Sequence, residues 1–409
     1  MNKTLGTTLL VSGTMIGAGM LAMPLTSAGI GFAFTAVLLL VLWALLTYSA
    51  LLFVEVYQTT DSDAGIGTLA ALYYGNAGRF VASTVMFVFL YALLSAYISG
   101  GGEILMKTLG RAGFAASGLS GQATLKLYIG LFTLIFGAFI VISAKVVDAG
   151  NRFFFFVMLA ALLLVIAVML PKASPRNLTA MPLDSALLLS AAPIFFTSFG
   201  FHGSIPSLNK YLAGDVRALR FAIICGSAIT LGVYTLWQLA THGVLSQSQF
   251  TQILKENPTL YGLIEATRVI TGSNIIAGTV ELFSALALIT SFLGVALGLY
   301  DCIDDMLRKG MRLNPGRTIL GTATFLPPVL FAWFYPDFIG ALSYAGQMFA
   351  FYAVVLPVGL VWKARRRYPH LPYRVPGGYA ALILALILGI AAAVIPFYVK
   401  AGYLPPVVG

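Results

Sequence analysis

The sequence predicts an all-α membrane protein, and three observations carry that reading. Of 409 residues, 59% are hydrophobic and only 9% charged, whereas a water-facing surface needs roughly a quarter of its residues charged. Apolar runs recur along the whole chain at lengths near the roughly 20 residues that cross a bilayer core of about 30 Å as a helix. None has the build of a barrel strand, about 9–11 residues with alternating polarity.

Eleven such runs follow one another. The first, about 5–29, resembles a secretion signal, but Gly and Thr interrupt it and a second run, 32–57, follows at once, so it is read as a retained helix. Residues 62–78 (SDAGIGTLAALYYGNAG) are expected to form a short helix before the third run, 80–106. Runs 124–144 and 152–171 complete a first block of five, and 187–209 opens a second. After 221–242, residues 246–272 read as two short amphipathic helices forming a lid. Runs 274–300, 318–335 and 338–362 close the second block, and 379–399 stands alone as an eleventh. The expected organisation is a transporter core over 1–378, with repeat one about 5–171 and repeat two about 187–362, then 379–409 as the eleventh helix and tail.

The net charge of +10 does not describe a nucleic-acid-binding face, because the basic residues sit in short loops between apolar runs. Lys107, Arg111, Lys126, Lys172, Arg176, Lys255, Arg268 and Lys400 fall on one side, and the other sixteen of the 24 Lys and Arg on the opposite side. The richer side is the cytoplasmic one, placing the N-terminus inside and, with eleven spans, the C-terminus outside. The densest cluster, Lys363 to Arg367, reads as a topology anchor in contact with membrane lipid. Cys225 and Cys302 suggest neither a disulfide framework nor a metal site.

The strongest local signal is a pair of interrupted runs. The first holds Ser12-Gly13-Thr14-Met15-Ile16-Gly17-Ala18-Gly19-Met20 at its middle, with Pro24 a turn later. The sixth holds Thr197-Ser198-Phe199-Gly200-Phe201-His202-Gly203-Ser204, flanked by Pro193 and Pro206. Glycine costs about 1 kcal/mol relative to Ala in a helix interior, so both stretches invite unwinding. Either alone fits close helix packing through small residues. Together they open two successive blocks of five, and because five is odd the second block inserts upside down. Such matched breaks point to a substrate site at the bilayer midplane. Unwinding frees N–H groups suited to a carboxylate and carbonyls suited to an ammonium or a cation, which favours a zwitterionic amino acid.

At GTMIGAGMLAMPL (13–25), YALLSAYISGGGE (91–103), PIFFTSFGFHGSIPS (193–207) and TSFLGVALGLYD (290–301) the chain resembles the hydroxy/aromatic amino acid permeases of the amino acid–polyamine–organocation superfamily. The resemblance covers essentially the whole chain. Around Phe199 and His202 it is nearer to members that carry tyrosine than to those that carry tryptophan. It implies a LeuT-type five-plus-five inverted repeat with eleven transmembrane helices in a bacterial inner membrane, and proton-driven uptake of L-tyrosine or a related aromatic amino acid. It also implies that Gly17, Ala18 and Gly19 offer amides to the substrate carboxylate, that carbonyls near Thr197 and Ser198 receive the ammonium, and that Phe199 gates or walls the pocket. Thr14, Met20, Gly200 and His202 complete the candidate contacts at the two breaks.

Other polar residues within the spans have two readings each. Tyr91, Ser95, Ser99 and Gly102 share a helix face that either lines the phenol end of a pocket or packs against a neighbour. Tyr344 and Gln347 either bond a substrate hydroxyl or satisfy a broken neighbour. Glu281, on a stripe with Ser284 and Ser291, His202 and Glu103 are candidate proton carriers, whereas Glu55 is read as snorkelling or paired. Thr290 and Ser291, with carbonyls near Thr14 and Gly17, would instead form a sodium site if sodium were the coupling ion. The same residues also fit a tryptophan or broader aromatic permease, or an amino acid exchanger. An enzyme is the poorest fit: neither HExxH nor a GxSxG elbow occurs, GSIPS at 203–207 lacking the closing Gly, and no resident cofactor is implied.

Overall fold

The structure, a computed structural model, describes residues 3–62, 64–111, 120–142, 144–310 and 313–407. Asp63 and Arg312, and the side chains of Arg111, Lys145, Arg152 and Lys309 counted in the charge argument, lie outside what is described. Among the described residues the chain is helical throughout, without strands.

The first run is two helices, α1 (Lys3–Met15) and α2 (Ala18–Ser27), bent by 48° at their junction. α3 spans Phe32–Tyr57, and α4 spans Ile66–Arg111. Gly75 interrupts α4 with a φ of +65°, which makes residues 66–74 the short helix expected before the third run. α5 (Gly121–Ile142), α6 (Ala144–Met169) and the single turn α7 (Pro175–Leu178) follow. The sixth run is again two pieces, α8 (Leu187–Ser198) and α9 (Ile205–Tyr211), with an irregular stretch between them.

α10 is Val216–Val244, its N-terminus capped by the Asp215 carboxylate on the amides of Arg217 and Ala218. The two short helices expected over 246–272 form as α11 (Gln247–Glu256) and α12 (Leu260–Thr271). Thr259 caps the start of α12, Gly272 ends it in the left-handed conformation, and Ser273 caps α13 (Asn274–Asp305). α14 (Arg317–Phe334), α15 (Phe338–Ala350), α16 (Leu356–Arg367) and α17 (Gly378–Lys400) complete the chain. One π turn, Phe351–Val355, joins α15 to α16 just before Pro357, whose missing N–H disturbs the hydrogen-bond ladder.

Among the described residues nine helices are long and apolar enough to cross a membrane, and the bent pair α1–α2 makes a tenth. Leu134, Phe153, Leu163 and Ile275, all more than half exposed, face the lipid. The chain is therefore a multi-pass membrane protein. The run expected at 318–335 is α14, an 18-residue helix whose apolar character Arg317, Pro327 and Pro328 lower.

The interrupted helices sit innermost. Every residue of α2 is buried, and α2 packs on α8, so the two breaks lie side by side. α3, α10, α13 and α15 pack against them, with α1 along α10 and α6 along α13, and α4 lies behind α13 and α15. At one end of the bundle, Glu55 and Arg365 each lie two residues before the end of their helices. Arg365 is buried and pairs with Glu55 through two bonds of 2.6 and 2.8 Å, while the Val375 N–H donates to the same carboxylate at 2.8 Å. Within the 363–367 cluster Arg365 therefore turns inward, because Glu55, fully buried, needs an internal cation, and Glu55 is paired, one of the two states expected for it.

Candidate functional site

Local chemistry explains the first break. The Met20 carbonyl would accept from the N–H four residues on, but that residue is Pro24, which has none. The indole N–H of Trp237 takes its place at 3.0 Å. The carbonyl of Met15, the last residue of α1, accepts from the Tyr234 hydroxyl at 2.6 Å. The Ala18 N–H, at the start of α2, donates to Ser291 Oγ at 2.9 Å. Two glycines permit these approaches: a Cβ on Gly17 would stand 2.3 Å from Ser291 Oγ, and one on Gly19 would stand 3.1 Å from the Ser198 backbone.

The second break is built likewise. α8 ends at Ser198, whose carbonyl also accepts from the Tyr234 hydroxyl, at 2.7 Å. The Ser198 hydroxyl donates to the Gly19 carbonyl at 2.9 Å, tying one break to the other. Phe199 lies edge-on to Tyr234 with ring centres 5.1 Å apart. His202 is fully buried, its Nε2 2.8 Å from Ser49 Oγ, among Phe201, Phe349 and Phe53. Unwound backbone survives at membrane depth only where it is buried and satisfied in this way.

The structure thus brings Gly17, Ala18, Gly19, Met20, Thr197, Ser198, Phe199, Gly200 and His202 into one region, and leaves others apart. Thr14 is exposed and its hydroxyl bonds back to the Leu10 carbonyl, so its side chain turns away from the break, one helical step from the buried Met15. Tyr344 is 47% exposed and likewise points outward, although Gln347 on the same helix is buried. Tyr91 spends its hydroxyl on the Ala323 carbonyl of α14, and Ser95 bonds back to Tyr91. Ser99 Oγ, Ser284 Oγ and Gln347 Nε2 are buried without a hydrogen-bond partner, which marks them as the available polar atoms of α4, α13 and α15.

The ionisable candidates separate too. Glu281 accepts from the Thr108 hydroxyl at 2.7 Å, where α13 meets the end of α4. Glu103 faces Thr259, Lys107 and the Tyr261 backbone at the start of α12. Thr290 bonds within α13 to Leu286 and Ala287, and Ser291 is engaged with Ala18, so both hydroxyls considered for sodium serve the chain itself.

α10 contributes a polar face that the sequence reading does not single out. Ser227, Thr230, Tyr234, Trp237, Gln238, Thr241 and His242 are all buried along it, and His242 and Gln238 both contact Ser27 at the end of α2. The signal lies in polar residues recurring three and four apart within an apolar run.

Comparison with known proteins accords with this architecture. Residues 1–396 match the tryptophan/tyrosine permease family. The chain is similar to tyrosine-specific transport system 1 of Haemophilus influenzae, 63% identical over 410 residues and covering all of both chains. It is 52% identical to tyrosine-specific transport system 2 of the same organism, over 100% of this chain and 99% of the relative. A tryptophan-specific transport protein of Pseudomonas aeruginosa is 32% identical over 98% of this chain and 96% of its own.

Proposed function

The chain belongs to the tryptophan/tyrosine permease family, and from that footing we propose that it imports tyrosine across a bacterial cytoplasmic membrane by proton symport. It is a permease, not an enzyme. Two relatives that align along its full length and are named for tyrosine support that substrate over tryptophan, whose named carrier is more distant. In this reading α14 is the remaining span of eleven, and α1–α6 and α8–α16 form the two halves of a LeuT-type inverted repeat. The N-terminus is cytoplasmic and the C-terminus periplasmic.

One observation carries the site assignment: the breaks lie side by side, with the carbonyl ends of α1 and α8 meeting at a single point, Tyr234 Oη. Helix C-termini carry partial negative charge, so their junction suits an ammonium group. The Ala18 amide and the glycines beside it hold the carboxylate once Ser291 gives way. Ser99, Ser284 and Gln347 supply unspent polar atoms for the rest of the substrate. Alternating access follows when the half-helices rock about the breaks, with Glu281, His202 or Glu103 taking up and releasing the proton.

A sodium-coupled variant of this reading draws on the position of Ser291 Oγ and the Ala287 carbonyl beside Gly17. Uptake of labelled tyrosine into proteoliposomes decides between them. Symport with protons predicts accumulation under an inside-alkaline gradient, equal with and without sodium, and its collapse on adding a protonophore. Unlabelled tyrosine should compete better than phenylalanine or tryptophan. Uptake that needs sodium overturns the proton assignment, and preferential competition by tryptophan overturns the substrate.

A further inference from the structure

The Tyr234 hydroxyl has more acceptors than it can serve. It lies 2.6 Å from the Met15 carbonyl oxygen and 2.7 Å from that of Ser198. A phenol carries one hydrogen, and carbonyls carry none. At any instant one of the two carbonyls receives the hydrogen and the other faces an oxygen lone pair at hydrogen-bond distance. Both carbonyls close α-helices, of 13 and 12 residues, so two negative helix ends converge on one neutral donor. Tyr234 is fully buried, so water cannot make up the missing hydrogen from solution. An ammonium group brings three donors and a full positive charge to the same place, serving both carbonyls at once with one hydrogen to spare.

We propose that the Tyr234 hydroxyl is a built-in stand-in for the substrate's ammonium group, holding the carbonyls of both breaks until the amino acid displaces it. The inference rests on the reading of the breaks as the substrate site. It gives the substrate-free carrier a way to keep freed backbone satisfied inside the membrane. It also links binding to shape: Tyr234 packs edge-on to Phe199, so a phenol that leaves the carbonyls moves the ring at the second break. Only a ligand with an amino group drives this exchange.

The test is equilibrium binding of labelled tyrosine to the full-length protein in nanodiscs, with the Tyr234→Phe variant beside it. The variant keeps the ring but loses the internal competitor. The free state alone suffers, and the dissociation constant should fall by about five- to tenfold. A constant that rises, in a variant whose melting temperature stays within a few degrees, overturns the stand-in, because Tyr234 then supports the bound state; the site reading survives. An unchanged constant overturns both, because the ammonium is then received elsewhere. If the variant does not fold, 3-fluorotyrosine placed genetically at position 234 keeps the question open to measurement. Its fluorine resonance should shift when saturating tyrosine is added to the wild-type background, and a resonance that does not move overturns the proposal.

Discussion

Two places in this molecule hold polar groups at depth, and they do so in opposite ways. At the bundle end, the Glu55 carboxylate is met by Arg365 through two bonds and by the Val375 N–H, and Arg365 itself donates to the Val375 carbonyl. Gln58 completes the clasp by exchanging two bonds with Tyr373. Opposite charges are matched and their donors and acceptors used. At the breaks, by contrast, backbone groups are met by neutral side chains from other helices: Tyr234, Trp237, Ser291 and Ser198. Charge-assisted bonds are roughly twice as strong as neutral ones. The clasp is therefore suited to stay closed, and the breaks are suited to exchange partners with a ligand.

The sharpest way to break this comparison is to remove a charge from the clasp. Arg365→Ala leaves Glu55 buried and unpaired, which costs about 3–5 kcal/mol. The expected result is loss of folded protein in the membrane fraction, seen as a large drop in melting temperature in detergent. A variant that melts like the wild type would show that the clasp contributes no more than the neutral contacts do.

Gly17→Val acts in the other region and should separate folding from function. The added side chain collides with Ser291 Oγ, where a Cβ alone stands at 2.3 Å. Tyrosine uptake should fall at least a hundredfold while insertion and melting temperature change little, because a break already lacking helical bonds yields locally. Near-normal uptake removes the cradle from the mechanism.

These two regions are not equally legible in the chain. The breaks are legible as a pair, through Gly17, Gly19 and Pro24 in one run and Gly200 and Pro206 in the other, since either stretch alone also fits close helix packing. The helical class and the two short helices α11 and α12 follow from run length and from Ser, Thr and Gly at their ends. Pairings between distant segments do not follow. Arg365 sits among other cations, and nothing local distinguishes the member that turns inward to Glu55, 310 residues away. Thr14 and Tyr344 have exposed side chains, because rotation about a helix axis decides exposure and spacing alone does not set that rotation. Tyr234 and Trp237 lie in a run without breaks, although their polar stripe carries the information.

A smaller effect is expected at Glu281 of α13. Glu281→Gln keeps the shape and can still bond Thr108 Oγ1, so folding should be preserved. If Glu281 carries the coupled proton, accumulation against a tyrosine gradient is lost while counterflow persists. Accumulation equal to the wild type assigns the proton to another group. Trp237→Phe then removes one neutral bond, to the Met20 carbonyl left open by Pro24. It should destabilise the protein by about 1–3 kcal/mol, the cost of an unsatisfied buried acceptor.

The least effect should come from Ser291→Ala, and its sign is the informative part. The substitution leaves the buried Ala18 N–H without its acceptor, which costs about 1 kcal/mol in stability, the lower end of the range for an unsatisfied buried donor. Yet the same amide is the one offered to a carboxylate, and a serine that must step aside competes with the substrate. Tyrosine should therefore bind the variant at least as tightly as the wild type, even though the empty carrier melts slightly earlier. Weaker binding with unchanged melting would mean that Ser291 touches the substrate or an ion directly, and the breaks would then hold their ligand through fixed side chains, as the clasp holds its charges.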